Sequence, residues 1–139
     1  MAIHEGRSIV FDIDGTICPI KLQNEKYEDL EPRWDFVRKM REYKDEGFYI
    51  ILFTSRQMRT HNGNIGRINA TTLKAIFRWL DNNNIPYDEV HVGKPWPGHG
   101  GFYVDDKAIR PSEFMNKTYE EIIELTKEDY SKKEEVEND

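Results

Sequence analysis

Short apolar runs that each turn polar at their carboxyl end constrain this chain more than any other feature. Ser8, Ile9, Val10 and Phe11 lead through Asp12, Ile13 and Asp14 into Gly15 and Thr16, which reads as a buried strand closed by a turn. Residues 48–53 form a second run, ending at Thr54, Ser55 and Arg56. Two shorter runs follow: residues 89–92 before Gly93 and Lys94, and residues 101–104 before Asp105 and Asp106.

Helical periodicity fills the gaps. Pro32 suits a first helical turn; Phe36, Val37, Met40 and Tyr43 then share a face, and Gly47 stops the helix. Residues 69–82 place Leu73, Ile76, Phe77 and Leu80 on one stripe, and residues 118–126 group Ile122, Ile123 and Leu125. Strands alternating with helices predict an α/β fold: a three-layer α/β/α sandwich around a mainly parallel sheet with right-handed crossovers. At 139 residues the chain has room for one core. The expected domain is 1–126, and the highly charged segment 127–139 reads as a solvated tail.

In an open parallel sheet, ligands sit beyond the carboxyl ends of the strands, where all four polar strand ends would converge. Asp12 and Asp14 start on the same side of their strand, and Gly15 lets the chain turn without a Cβ clash. Two neighbouring carboxylates repel, so they need a cation or a shared proton. One can then attack phosphorus while the other handles a proton. Thr54 adds a hydroxyl donor, Lys94 a compact positive charge, and Asp105 with Asp106 the hard oxygens that Mg²⁺ prefers.

These residues, in this order, resemble the four-motif signature of the haloacid dehalogenase superfamily across residues 8–112. Longer stretches, Thr54–Thr60, Gly93–Asp106 and Ile109–Phe114, look like the small phosphatases of bacterial capsular polysaccharide biosynthesis. The resemblance implies that Asp12 attacks phosphorus and carries an aspartyl-phosphate, and that Asp14 protonates the leaving oxygen and later activates water. It implies that Thr54 and Lys94 hold the phosphoryl oxygens. Mg²⁺ would be bound by the Asp12 carboxylate, the Asp14 carbonyl, Asp106 and, directly or through water, Asp105. An acid at position 14 favours phosphatase over dehalogenase chemistry.

No span has room for a large cap, and residues 17–30 are expected to form a small flap carrying Cys18. The uncapped site suits a bulky substrate or closure by a neighbouring subunit in a homo-oligomer. The loop 56–67, with Arg56, Arg59 and Arg67, is expected to grip the non-reacting part of a phosphorylated sugar, polyol or amino alcohol, beside Gly15, Thr16 and Ser55. Trp96 is expected to pack over the site. A receiver module would place its acidic pair after the first strand and its acceptor Asp later, the reverse of the order here. A net charge of −6 with no basic aromatic stripe argues against a polynucleotide substrate. The four histidines share no metal-ligand spacing, so zinc is not expected. The single cysteine, the lack of a long apolar run and residues 1–7, which include His4 and lack the long apolar core of a secretory signal, make a cytoplasmic location the expectation.

Overall fold

The computed structural model describes residues 6–130; His4 and residues 131–139 of the expected tail lie outside them. The chain divides into two compact units, with the boundary between Trp96 and Pro97.

In the first unit, strands β1 (Ser8–Phe11), β2 (Tyr49–Phe53) and β3 (Glu89–His91) pair in parallel in the order β1-β2-β3. Registers such as Val10 opposite Ile51 and Phe53 opposite His91 bring the carboxyl ends together on one edge. The strands are shorter than the apolar runs because Asp12 and Val92 have already left the ladder.

Helix α1 (Trp34–Asp45) buries Phe36, Val37, Met40 and Tyr43, the stripe read from the sequence, and the Phe36 ring meets Phe11 edge-on at 5.9 Å. The helix begins after Pro32 rather than on it, with Arg33 as its cap residue. Helix α2 (Ile65–Asn82) begins earlier than its apolar stripe, because the Asn64 side chain accepts a hydrogen bond from the Arg67 backbone and starts the helix four residues before Asn69. Its buried face is Ile68, Ile76, Trp79 and Leu80. The Trp79 indole donates to the Leu30 carbonyl at 2.9 Å, tying the helix to the end of the flap. That flap holds a single 3₁₀ turn, Tyr27–Asp29.

The second unit contains α3 (Pro111–Asn116) and α4 (Tyr119–Tyr130). A reciprocal cap starts α4: Thr118 N–H donates to Glu121 and Glu121 N–H to the Thr118 hydroxyl. Here one expectation fails. Residues 101–104 form no strand, and residues 101–108 are all exposed. Apolar β-branched composition does not make a strand until a neighbour accepts its backbone bonds. The parallel α/β architecture therefore stands with three strands among the described residues. No described helix is long and apolar enough to cross a membrane.

Candidate active site

The turn after β1 builds the centre of the site. The N–H groups of Thr16 and Ile17 both donate to the Ile13 carbonyl, and Gly15, at φ +85°, reverses the chain so that its own N–H reaches Cys18. Ile13, Ile17 and Cys18 are fully buried beneath this turn, which fixes where the intervening polar residues can stand. Asp12 and Asp14 emerge above it with different surroundings.

Asp12 lies beside the Lys94 ammonium at 3.5 Å and accepts a hydrogen bond from the Thr16 hydroxyl at 3.3 Å. Burial raises its pKa; Lys94, the Ile13 N–H and Thr16 oppose that shift, and the charge of Asp14 adds to it. The net result is a carboxylate that is poorly solvated yet retains two long, incomplete contacts. Such a group is reactive towards an electrophile and receptive to a cation.

Lys94 reaches Asp12 because β3 is fastened to the end of β2. Thr54 N–H donates to the His91 carbonyl at 2.9 Å, and Lys94 N–H donates to the Thr54 carbonyl at 3.1 Å. Between them Gly93 sits at φ +85°, where a Cβ would stand 2.7 Å from Ile65 Cδ1. Thr54 is buried, and its hydroxyl oxygen accepts from the Arg56 N–H at 3.0 Å. That bond orients the hydroxyl and still leaves it a hydrogen to donate.

Asp14 faces Arg56. The guanidinium forks onto both carboxylate oxygens, Nη2 at 2.8 Å and Nε at 3.0 Å, and its side chain is only 2% exposed. Tyr27 from the flap stacks on the guanidinium at 4.2 Å. The sequence offered Arg56 as a ligand-gripping cation; in the structure its fork is taken by Asp14. Tyr27 was missed, because a lone aromatic in a polar flap carries no periodic signal. Cys18 is buried next to Asp14, its thiol 3.7 Å from Oδ1 and its pKa pushed up to about 12, chiefly by burial.

A cavity of about 230 Å³ opens over this pair, lined by Asp14, Lys21, Tyr27, Arg56, Arg59 and Trp96 among others. Ser55 also lines it, and Arg59 packs against Trp96 at 5.6 Å, so Trp96 forms part of the wall. Arg67 belongs instead to the first turn of α2 and is exposed. It does not line the cavity.

Asp105 and Asp106 lie in an exposed turn of the second unit, where Asp105 accepts from the Lys107 N–H. Among the described residues no group of three or more His, Cys, Asp or Glu side chains is gathered to hold a metal. The donor chemistry still suits Mg²⁺, which keeps several waters and takes one or two carboxylates. Asp12 offers hard carboxylate oxygens whose contacts, at 3.3 and 3.5 Å, are long.

No family model matches the chain, and no curated protein does. Among solved structures, a Vibrio cholerae protein determined as a crystallographic target is 46% identical, with a TM-score of 0.82 over 88% of this chain and 98% of that one.

Proposed function

The chain belongs to one family with that Vibrio cholerae protein, and we propose that it is a Mg²⁺-dependent phosphatase of the haloacid dehalogenase type that attacks a phosphomonoester with Asp12. The observation that carries this reading is the Asp12 carboxylate, set just past the end of β1 and 3.5 Å from the ammonium of Lys94, whose backbone N–H donates to the carbonyl of Thr54 just past the end of β2. A full sandwich of helices on both sheet faces belongs to the same reading.

An Asp12 oxygen forms a bond to phosphorus in line with the leaving oxygen, whose bond to phosphorus breaks. Asp14 gives that oxygen its proton. Water then attacks the aspartyl-phosphate, Asp14 takes the water's proton, and inorganic phosphate leaves with Asp12 restored. Lys94 and the Thr54 hydroxyl hold the phosphoryl oxygens as charge spreads over them. Asp12, the Asp14 carbonyl and the Asp105–Asp106 pair would hold Mg²⁺, which would supply further neutralisation of phosphoryl charge.

Arg56 occupies both Asp14 oxygens as acceptors. The fork aims the carboxylate for the water step; donating to a leaving group requires one oxygen to come off Arg56. The cavity wall, with Lys21 and Arg59, suits the hydroxyl-rich remainder of a phosphorylated sugar, polyol or amino alcohol from a polysaccharide precursor. Net charge −6 favours such a small metabolite over a nucleic acid. A buried lone thiol suits a reducing cytoplasm.

Phosphate release from a panel of phosphorylated sugars, polyols, amino alcohols and nucleotides, with Mg²⁺, tests this directly. Turnover present in the wild type and absent in Asp12→Asn is expected. A panel on which the two proteins behave alike would overturn the assignment.

A further inference from the structure

The cavity beside Asp14 is cationic in an acidic chain. Its lining carries Lys21, Arg56 and Arg59 against a single anion, Asp14, while the chain as a whole has a net charge of −6. Every lining residue belongs to the first unit. Asp14 takes up the Arg56 fork at 2.8 and 3.0 Å, and Arg59 packs on Trp96.

Lys21 is placed differently. Its ammonium donates to the carbonyls of Leu22 at 3.1 Å and Glu25 at 3.2 Å and stands 5.4 Å from the centre of the Tyr27 ring. None of these groups carries a formal charge. The nearby Glu25 carboxylate is turned to the Leu22 N–H at 2.8 Å. An ammonium has three hydrogens to give, so one of them, with the whole charge, is available to a ligand. Gln57, also in the lining, holds φ at +65°, a left-handed backbone that glycine adopts freely and glutamine does not. The His61 N–H fixes it there by donating to the Gln57 carbonyl at 2.9 Å. Strain kept in a cavity wall marks a side chain that is used, and an amide donor is of use to an anion.

We propose that the substrate is a short phosphorylated hydroxy acid, whose carboxylate lies in this cavity on Lys21, with the Gln57 amide and the charge of Arg59 in support. This deepens the phosphatase reading and rests on it: Asp14 protonates the leaving oxygen, so the rest of the substrate begins at Asp14, in the cavity wall. A neutral polyol uses the hydrogen bonds of such a wall but not its charge; a carboxylate uses both. An amino alcohol would bring one more ammonium to a wall already cationic. The volume of about 230 Å³ equals about eight waters at roughly 30 Å³ each, which suits the roughly seven heavy atoms of a glycerate remainder.

The probes are 3-phosphoglycerate and glycerol 3-phosphate, which differ by a carboxylate in place of a hydroxymethyl group. Hydrolysis adds water across the O–P bond of either one and releases inorganic phosphate, with glycerate or glycerol. With the full chain and Mg²⁺, kcat/KM should favour the acid by about tenfold or more, as a hydrogen bond to a charged group allows. Lys21→Met should bring that ratio to about one and leave turnover of glycerol 3-phosphate within about twofold of wild type. A wild-type ratio of one or less, or an unchanged ratio in Lys21→Met, would overturn the proposal. An equal fall in Lys26→Met, which removes a lysine outside the lining, would trace the preference to overall charge and overturn it as well. Binding is read separately in the metal-free protein. Glycerate should move the Trp96 indole N–H signal in NMR spectra of the wild type but not of Lys21→Met, and glycerol should move neither. Glycerate binding in a protein that releases no phosphate supports the cavity and defeats the phosphatase reading alone. Phosphate release with no preference for the acid defeats the cavity proposal alone.

Discussion

Removing both members of the Arg56–Asp14 pair should cost clearly less stability than the two single removals added together. The guanidinium is 2% exposed and the carboxylate 20%, joined by two bonds of 2.8 and 3.0 Å. Breaking a buried pair by deleting one member costs about 3–5 kcal/mol, since the other charge is left without compensation. Asp14→Asn strands the more deeply buried charge, so it should cost about 3–5 kcal/mol. Arg56→Met keeps an apolar stem against Tyr27 and leaves a carboxylate that water can reach, so roughly 2–4 kcal/mol is expected. The double variant, with no net charge left in the pocket, should fall well short of the sum, with a coupling energy of about 2–3 kcal/mol. Urea unfolding followed by fluorescence of Trp34, Trp79 and Trp96 measures all four proteins under one condition. A coupling below about 0.5 kcal/mol would refute the idea that this fork holds the turn in place.

Asp12→Asn should abolish phosphate release and also stabilise the metal-free protein at neutral pH. Burial raises the Asp12 pKa on folding, so its contribution to stability is complete below the unfolded carboxyl range and is lost as pH rises through the folded pKa. The melting temperature of the variant should therefore exceed that of the wild type at pH 7 and converge with it in acid; a lower value at pH 7 would contradict this. Lys94→Ala removes the largest opposing influence on the same carboxyl, and its titration, followed by carbon NMR of metal-free protein, should move upward. The Cys18 thiol, buried and with its pKa pushed up to about 12, should resist iodoacetamide at pH 8 until urea unfolds the chain; rapid labelling of folded protein would be inconsistent with the packing described. Gly93→Ala forces a side chain into φ +85° and against Ile65, at a cost of about 1–3 kcal/mol in urea unfolding; trimming Ile65 to Ala should not recover the backbone share.

Local chemistry was enough to foresee much of the first unit. The face of α1 follows from the spacing of Phe36, Val37, Met40 and Tyr43, because helical geometry alone sets which positions coincide. That Asp12, Thr54 and Lys94 stand at strand ends follows from apolar runs that stop where polar residues begin. What sequence could not supply was pairing at a distance. The choice of Asp14 as the partner of Arg56, 42 positions away, depends on how the β1 turn and the end of β2 meet. Trp79 is not on the stripe read from the sequence, yet it is buried, with its indole bonded to the Leu30 carbonyl. Residues 101–104 have the composition of a strand, yet a strand exists only where another backbone accepts its hydrogen bonds. Composition records the propensity of a segment; only the assembled chain decides whether there is an edge for it to join.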